Sequence, residues 1–161
     1  MRVHLGSDHA GWELKSQLVP WLITNGYEPV DHGPDRPVPD DDYPVYCLRA
    51  AAGVAADAEA GVTALGVVIG GSGNGEQISA NKVRGIRAAL AWSQQTARLA
   101  REHNDAQVLA IGARLHATED ALGFVATFLA TPFSGDPRHA RRIDMLTAYE
   151  ATGDVPPLPT A

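Results

Sequence analysis

The sequence predicts an α/β fold: a three-layer, doubly wound five-stranded parallel sheet, Rossmann-like or flavodoxin-like, with an added C-terminal helix. Three observations predict it. Short apolar, β-branched runs alternate with amphipathic stretches along most of the chain, the pattern of a parallel sheet whose crossovers are helices. The run Val62–Ile69 passes directly into Gly70-Gly71-Ser72-Gly73-Asn74-Gly75-Glu76, which reads as a buried strand feeding a helix N-terminus. No repeat, low-complexity block or linker divides the 161 residues, so one domain over 1–152 is expected, followed by a mobile tail over 153–161.

Taken in order, 2–6 is a short strand and 11–25 a helix with Trp12, Leu14, Leu18, Trp21 and Leu22 on one face. Pro20 is expected to weaken or kink that helix, and Gly26 to cap it. A second strand covers 27–31. The segment 33–43 holds three prolines and several aspartates, hence a loop. Pro44 suits the first turn of an Ala-rich helix over 44–60. After the third strand, 62–69, comes a short helix over 76–83, stopped near Gly85. A fourth strand spans 86–91. Ser93 is the expected N-cap of a helix over 93–104. A fifth strand covers 107–111, and the last helices cover 118–130 and 138–151.

Composition narrows the function. A hydrophobic fraction of 45% supports a real core, and a net charge of −6 argues against nucleic-acid binding. No window approaches the roughly 18 uninterrupted apolar residues of a membrane span, and no signal-peptide pattern opens the chain. The single cysteine, Cys47, excludes an internal disulfide and reads as a buried structural thiol. A cytoplasmic protein without a membrane partner is expected.

Ligands of doubly wound sheets lie at the carboxyl ends of the strands. That edge receives Asp8 and His9 after the first strand, 70–76 after the third and 112–116 after the fifth. Glycines let main-chain N–H groups approach a ligand, and a helix start adds partial positive charge, so the 70–76 loop suits an anion. It lacks both the third glycine of a dinucleotide fingerprint and the GK[ST] of a phosphate loop. Glu76 would be unwelcome beside a bare phosphate. It is wanted where a proton is removed and the resulting oxyanion is held. The helix dipole weakens a base and burial strengthens it, so partial burial is expected.

The remaining polar residues carry two readings each. Ser72 is a turn residue or a hydroxyl donor to a ligand, and Asn74 a left-handed turn residue or a ligand contact. Asp8 is a ligand contact or a helix cap. His4 faces a neighbouring strand or, with Asp8 and His9, touches a metal, although the spacing matches no strong metal pattern. His103 is a charge partner of its helix end, or a proton donor if that end bends to the sheet's carboxyl edge. Arg138 and Arg142 share a helical face beside His139, which suits either solvent or a phosphate, with Arg114 a possible addition. Asp40, Asp41 and Asp42 are adjacent and looped, hence solvated or a helix cap.

The blocks GSDHAG (6–11), DYP (42–44), GGSGNGEQISANKVRGIRAAL (70–90), REHNDAQVLAIGAR (101–114) and PRHARRID (137–144) together resemble the ribose/galactose isomerase family, type B ribose-5-phosphate isomerases in particular, over about residues 1–150. The resemblance implies an aldose–ketose isomerase of ribose 5-phosphate and ribulose 5-phosphate, without a metal or other cofactor, acting as a homodimer with sites shared across the interface. One branch of the family carries a cysteine base where this chain has Gly70. The other, similar to actinobacterial members, carries a glutamate where Glu76 stands. Carried over by position, His103 resembles the group that opens the sugar ring, while Asp8 and Asn104 hold hydroxyls. Gly71, Ser72, Gly73, Asn74 and Gly75 resemble the anion loop, and Arg114, Arg138, Arg142, His139 and His9 the phosphate and sugar contacts. Two alternatives stand beside this reading: an isomerase of a tetrose phosphate or of allose 6-phosphate, and a noncatalytic sugar-phosphate-binding module.

Overall fold

The computed structural model describes residues 1–158, so the end of the expected mobile tail, 159–161, lies outside the described residues. Eleven elements follow in chain order: β1 (Arg2–Ser7), α1 (Trp12–Thr24), β2 (Glu28–Asp31), α2 (Tyr43–Glu59), β3 (Ala64–Gly70), α3 (Asn74–Ala80), β4 (Ala88–Ala91), α4 (Gln94–Asn104), β5 (Val108–Gly112), α5 (Thr118–Ala130) and α6 (Pro137–Thr152). The strands form one all-parallel sheet in the order β2-β1-β3-β5-β4. The flavodoxin-like order would end 3-4-5; here the last two strands are exchanged. The sequences explain the exchange. VLAIG of β5 is buried throughout and takes the interior place beside β3, whereas AALA of β4 is short and half-exposed and takes the edge.

Helices cover both faces of the sheet. Leu14, Leu18 and Leu22 of α1, Ala97 and Ala100 of α4, and Phe124, Val125 and Phe128 of α5 pack on Val3, Leu5, Val67, Ile69, Leu109 and Ile111. The opposite face is closed by Cys47, Ala50, Ala51 and Val54 of α2 and Ala80 of α3, against Val68, Val108 and Ala110. Small side chains on α2 let it lie close to the strands. Helix α6 belongs to neither layer: His139 alone of its residues is buried.

Helix α1 runs unbroken through Pro20, contrary to the expected weakening. Pro20 lies on the exposed side, so the bond it cannot make is lost where solvent is available. The buried leucines hold the other side to the sheet. The cap is as expected: Asn25 closes the helix and Gly26, at φ 79°, turns the chain away. Beneath α1, the buried Lys15 ammonium donates to both oxygens of Asp31, at 2.6 and 2.8 Å, and to the Pro34 carbonyl at 2.9 Å. These bonds tie the start of the 32–42 loop to the sheet.

Candidate active site

A cleft of about 530 Å³ opens at the carboxyl edge of the sheet, between the ends of β1, β3 and β5. Strand β1 delivers Asp8 and His9, β3 the loop carrying Gly71, Ser72, Gly75 and Glu76, and β5 Arg114. The ends of β3 and β5 are bonded together, the Ala113 N–H donating to the Gly70 carbonyl at 2.8 Å and the Arg114 N–H to the Gly71 carbonyl at 3.2 Å.

Glu76 is the most unusual group in the cleft. It is 3% exposed, and its Oε2 has no hydrogen-bond partner. Burial raises its pKa above the ordinary carboxylate range, and the charge of Asp8 adds to the rise. Amides of Glu76 and Gly73 pull in the other direction without prevailing. Burial is thus deeper than expected and outweighs the helix start. The space comes from Gly70: a Cβ on that residue would overlap the carboxyl carbon and Oε1 of Glu76 and stand 2.9 Å from its Cγ. The carboxyl therefore occupies the volume that any side chain at position 70 would fill.

The left-handed residue of the loop is Gly73, at φ 82°, and a Cβ there would stand 2.9 Å from the Ile111 carbonyl carbon. Asn74 is the first residue of α3, so its reading as a left-handed turn residue does not hold; the steric demand falls on the residue before it. Ser72 is exposed, and its Oγ accepts the Asn74 N–H at 3.3 Å. Asp8 is not the N-cap residue of α1, which is Gly11, but it holds the turn that leads into that helix. Its Oδ1 accepts the Ala10 and Gly11 amides at 2.9 and 3.1 Å, and the residue also lines the cleft.

Two residues, Tyr43 in the cleft and Asp41 beside His9, make contacts that the sequence did not assign to them. Tyr43, at the start of α2, places its ring against Gly75, where a Cβ would stand 2.5 Å from Cζ. Asp41 is the second, and its reading as solvated is corrected. Its side chain is 7% exposed, and Oδ1 meets both the backbone N–H of His9, at 2.7 Å, and the His9 Nδ1, at 2.9 Å. Burial works to raise Asp41, yet the bonds from the His9 amide and ring, with the Tyr46 hydroxyl, hold it below the usual carboxylate range. Three consecutive aspartates carry no period that would tell an inward one from its neighbours.

The other expected site residues lie elsewhere. Helix α4 descends from the carboxyl end of β4, so His103 and Asn104 sit at the amino edge, where β5 begins; the helix end does not bend back toward Glu76. Arg87 pins that end, donating to the carbonyls of Asn104 and Asp105 at 2.8 and 2.9 Å. The start of α6 packs on the same place. The rings of His103 and His139 are 4.2 Å apart. His139 Nδ1 pairs with Ser134 Oγ at 2.8 Å, and its Nε2 faces the Arg138 guanidinium at 3.3 Å. The Asp136 carboxylate caps α6 through the Arg138 N–H, which with the positive charges nearby keeps it below the usual range. Arg138 and Arg142 are exposed on α6, and Arg114 is at the opposite edge of the sheet rather than with them. One chain therefore carries two separate clusters: Asp8, His9, the glycine loop, Glu76 and Arg114 at one edge, and His103, Asn104, Arg138, His139 and Arg142 at the other.

Neither cysteine chemistry nor a metal trio belongs to this chain's cleft. Burial, then the charges of Glu76 and Asp8, pushes the Cys47 thiol far up, leaving it inert at neutral pH. His4 turns away from Asp8 and His9: its Nδ1 meets His32 Nε2 at 2.9 Å and its Nε2 meets Asp57 at 3.0 Å. Among the described residues no group of three or more His, Cys, Asp or Glu side chains is placed to hold a metal ion, and no helix is long and apolar enough to cross a membrane.

Residues 3–146 match the family described as Ribose/Galactose Isomerase. The chain belongs to the ribose/galactose isomerase family. Within that family it is 55% identical to the ribose-5-phosphate isomerase B of Mycolicibacterium paratuberculosis over 161 residues, all of this chain and 99% of that one. Its fold superposes on the ribose-5-phosphate isomerase B of Clostridium thermocellum with a TM-score of 0.88 at 39% identity, covering 96% of this chain and 100% of the other. The enzyme from Mycoplasma genitalium, solved with bound ribulose-5-phosphate, gives 0.88 at 37% identity, covering 94% and 97%. Family membership thus agrees with the expectation drawn from the five sequence blocks.

Proposed function

We propose that this chain is a cytoplasmic enzyme that interconverts ribose 5-phosphate and ribulose 5-phosphate by proton transfer through a cis-enediol(ate). One observation carries the reading: a buried carboxyl with an unpartnered oxygen and a raised pKa, at the mouth of a glycine loop whose main chain is open to an anion. The C2 proton of an open-chain aldose phosphate is weakly acidic. A base close to neutral in its poise and freed from water removes it best. Glu76 takes the proton from C2 and returns it to C1. Meanwhile amides of Gly71 and Gly75, with the Ser72 hydroxyl, stabilise charge on O1 and O2; one such donor is worth about 3 kcal/mol of barrier. Asp8 and His9 hold sugar hydroxyls, and Arg114 contributes to the phosphate grip.

Among the described residues the cleft of one chain holds neither His103 nor Asn104, and Arg114 is its single arginine. A homodimer supplies the rest. The partner subunit's His103 and the partner subunit's Asn104 act at the ring, while the partner subunit's Arg138, the partner subunit's His139 and the partner subunit's Arg142 complete the anion site. Exposed Met145, Leu146 and Tyr149 of α6, continuing to Val155 and Leu158, give the apolar surface that such an association covers.

Two experiments test this reading. Glu76→Gln should keep the fold and bind the sugar phosphate, yet lose about two decades or more of turnover and of solvent-deuterium exchange at C2. Turnover near the wild-type level would refute the assignment. A panel of four-, five- and six-carbon phosphates in the same assay fixes the substrate. For shared sites, Glu76→Gln and His103→Ala chains, each inactive alone, should regain activity when co-expressed, because each mixed dimer holds one intact site. No recovery would place the whole site within one subunit.

A further inference from the structure

The end of α4 carries an inference about the reaction, resting on the reading of His103 as the group that opens the sugar ring. His103 and Asn104 have little of their own to hold them. The His103 side chain is 40% exposed, its ring lies against that of His139, and Glu102 stands 4.0 Å from its Nε2. Asn104 is exposed. The direction of both side chains is therefore set by the backbone beneath them, and two arginines grip that backbone. Arg87 donates from Nε to the Asn104 carbonyl at 2.8 Å and from a terminal nitrogen to the Asp105 carbonyl at 2.9 Å. Arg101 donates to the Asp105 carboxylate and to the Ala106 carbonyl, both at 2.7 Å. Carbonyls at a helix end have no partner within the helix, so these bonds fill an open requirement. Asp105 takes a left-handed conformation, φ 42°, where the chain turns into β5. Arg101 belongs to α4 and moves with it. Arg87 belongs to the sheet: it directly precedes β4, its N–H donates to Gln107 Oε1 at 2.8 Å, and its carbonyl accepts the Gln107 N–H at 3.0 Å.

We propose that Arg87 is a positioning residue for ring opening: by tying the Asn104 and Asp105 carbonyls to the sheet, it fixes the backbone from which His103 and Asn104 reach the sugar.

Opening the furanose breaks the C1–O4 bond and forms the C1=O1 carbonyl; O1 loses a proton, O4 gains one, and nothing is oxidised. Ribulose 5-phosphate has no such step, because its O5 carries the phosphate and cannot close a five-membered ring on C2. Exchange of its C1 hydrogen with solvent deuterium thus reports proton transfer without ring opening. In Arg87→Ala, kcat for ribose 5-phosphate should fall about tenfold or more, as it does when a reacting group is misplaced, while exchange into ribulose 5-phosphate stays within about twofold of wild type. Arg87→Lys brings one point charge to two carbonyls and should fall between. The double variant Arg87→Ala/His103→Ala should be no slower on ribose 5-phosphate than His103→Ala. An equal loss in both assays, additive effects in the double variant, or an Arg87→Ala protein altered only in melting temperature would each overturn the proposal. Should Arg87→Ala not fold, Arg87→Lys decides it in the same two assays. If His103→Ala keeps wild-type turnover of ribose 5-phosphate, the ring-opening reading of His103 falls and the proposal with it. If His103→Ala loses that turnover and Arg87→Ala does not, the assignment of Arg87 alone falls.

Discussion

Replacing Gly70 by alanine adds one methyl group to the chain and aims it at the carboxyl of Glu76, the proposed base. Gly70 does not have a positive φ, so alanine meets no backbone penalty. The three atoms nearest to the new Cβ all belong to the Glu76 side chain, with the carboxyl carbon and Oε1 overlapping it and Cγ at 2.9 Å. Ordinary contact begins at 3.4 Å. Nothing in the main chain has to move, because the obstacle is the end of a side chain that can rotate. The carboxyl must shift by about 1 Å or more, and a displacement of that size at a reacting group typically costs about a hundredfold in rate, or about 2.7 kcal/mol of barrier. The same methyl restricts the unfolded chain, which favours folding by about 0.4–1 kcal/mol. Gly70→Ala is therefore expected to melt no lower than wild type while kcat for ribose 5-phosphate falls about a hundredfold.

The assay is ketose formation from ribose 5-phosphate, run beside thermal unfolding, with Gly70→Ala, Glu76→Gln and the double variant. If the methyl acts only by displacing the base, it has nothing left to displace once the base is gone. The double variant should then match Glu76→Gln. Wild-type kcat in Gly70→Ala would show that the carboxyl is not required where the structure puts it. A double variant much slower than Glu76→Gln would show that position 70 acts through something else.

Further expectations concern pH and the basic helix. Glu76 has a folded pKa above its ordinary 4.5, so its folded form keeps a proton that the unfolded form loses as pH rises through that interval. The stability this gives is present below pH 4.5 and lost above the folded pKa; thermal melts should find Glu76→Gln more stable than wild type at pH 7, with the gap closing toward pH 4. His32 is the opposite case: burial, then the neighbouring His4, lowers its pKa from 6.5. The stability it gives is present above pH 6.5 and lost as pH falls below it, so wild type should lose melting temperature on acidification more steeply than His32→Gln. Arg142→Ala and Arg138→Ala should chiefly raise KM for the sugar phosphate; unchanged kinetics with a lowered melting temperature would reduce these residues to a solvated basic face.

The sheet, its helices and the site loop were legible because each is written locally. A period of two or of 3.6, a glycine run after an apolar strand, and Ser93 ahead of α4, where it forms the capping contact with Thr96, need no distant partner to be read. What was illegible depends on distance in space. Asp41 looks like its neighbours in sequence, and only the fold brings it to His9, 32 residues away. Glu76 could be named as a candidate base, but its degree of burial depends on Gly70 leaving a vacant volume. The order of β4 and β5 turns on a comparison between two short segments that competing local signals do not make. His103 was readable as a chemical group and not as a location, since the edge of the sheet that it occupies follows from the direction of α4.

Exchanging the last two strands has a chemical consequence. Had β4 lain beside β3, the end of β5 would have stood one strand further off, about 4.8 Å away. Neither the Ala113 amide nor the Arg114 amide could then have reached the carbonyls of Gly70 and Gly71, which they now bind. Those bonds fix the loop at its root, and Gly112 supports it from the side, where a Cβ would stand 2.6 Å from the Ser72 carbonyl oxygen. A loop that stabilises an oxyanion through its main chain works only if its amides are aimed before the charge appears, because reorienting them during the reaction would return the gain. The buried, all-apolar sequence of β5 thus does more than fill the sheet. By winning the interior position it ties the neighbouring loop at its root and brings Arg114 to the cleft, and it leaves α4 to carry His103 to the opposite edge, where the proposed second subunit would use it.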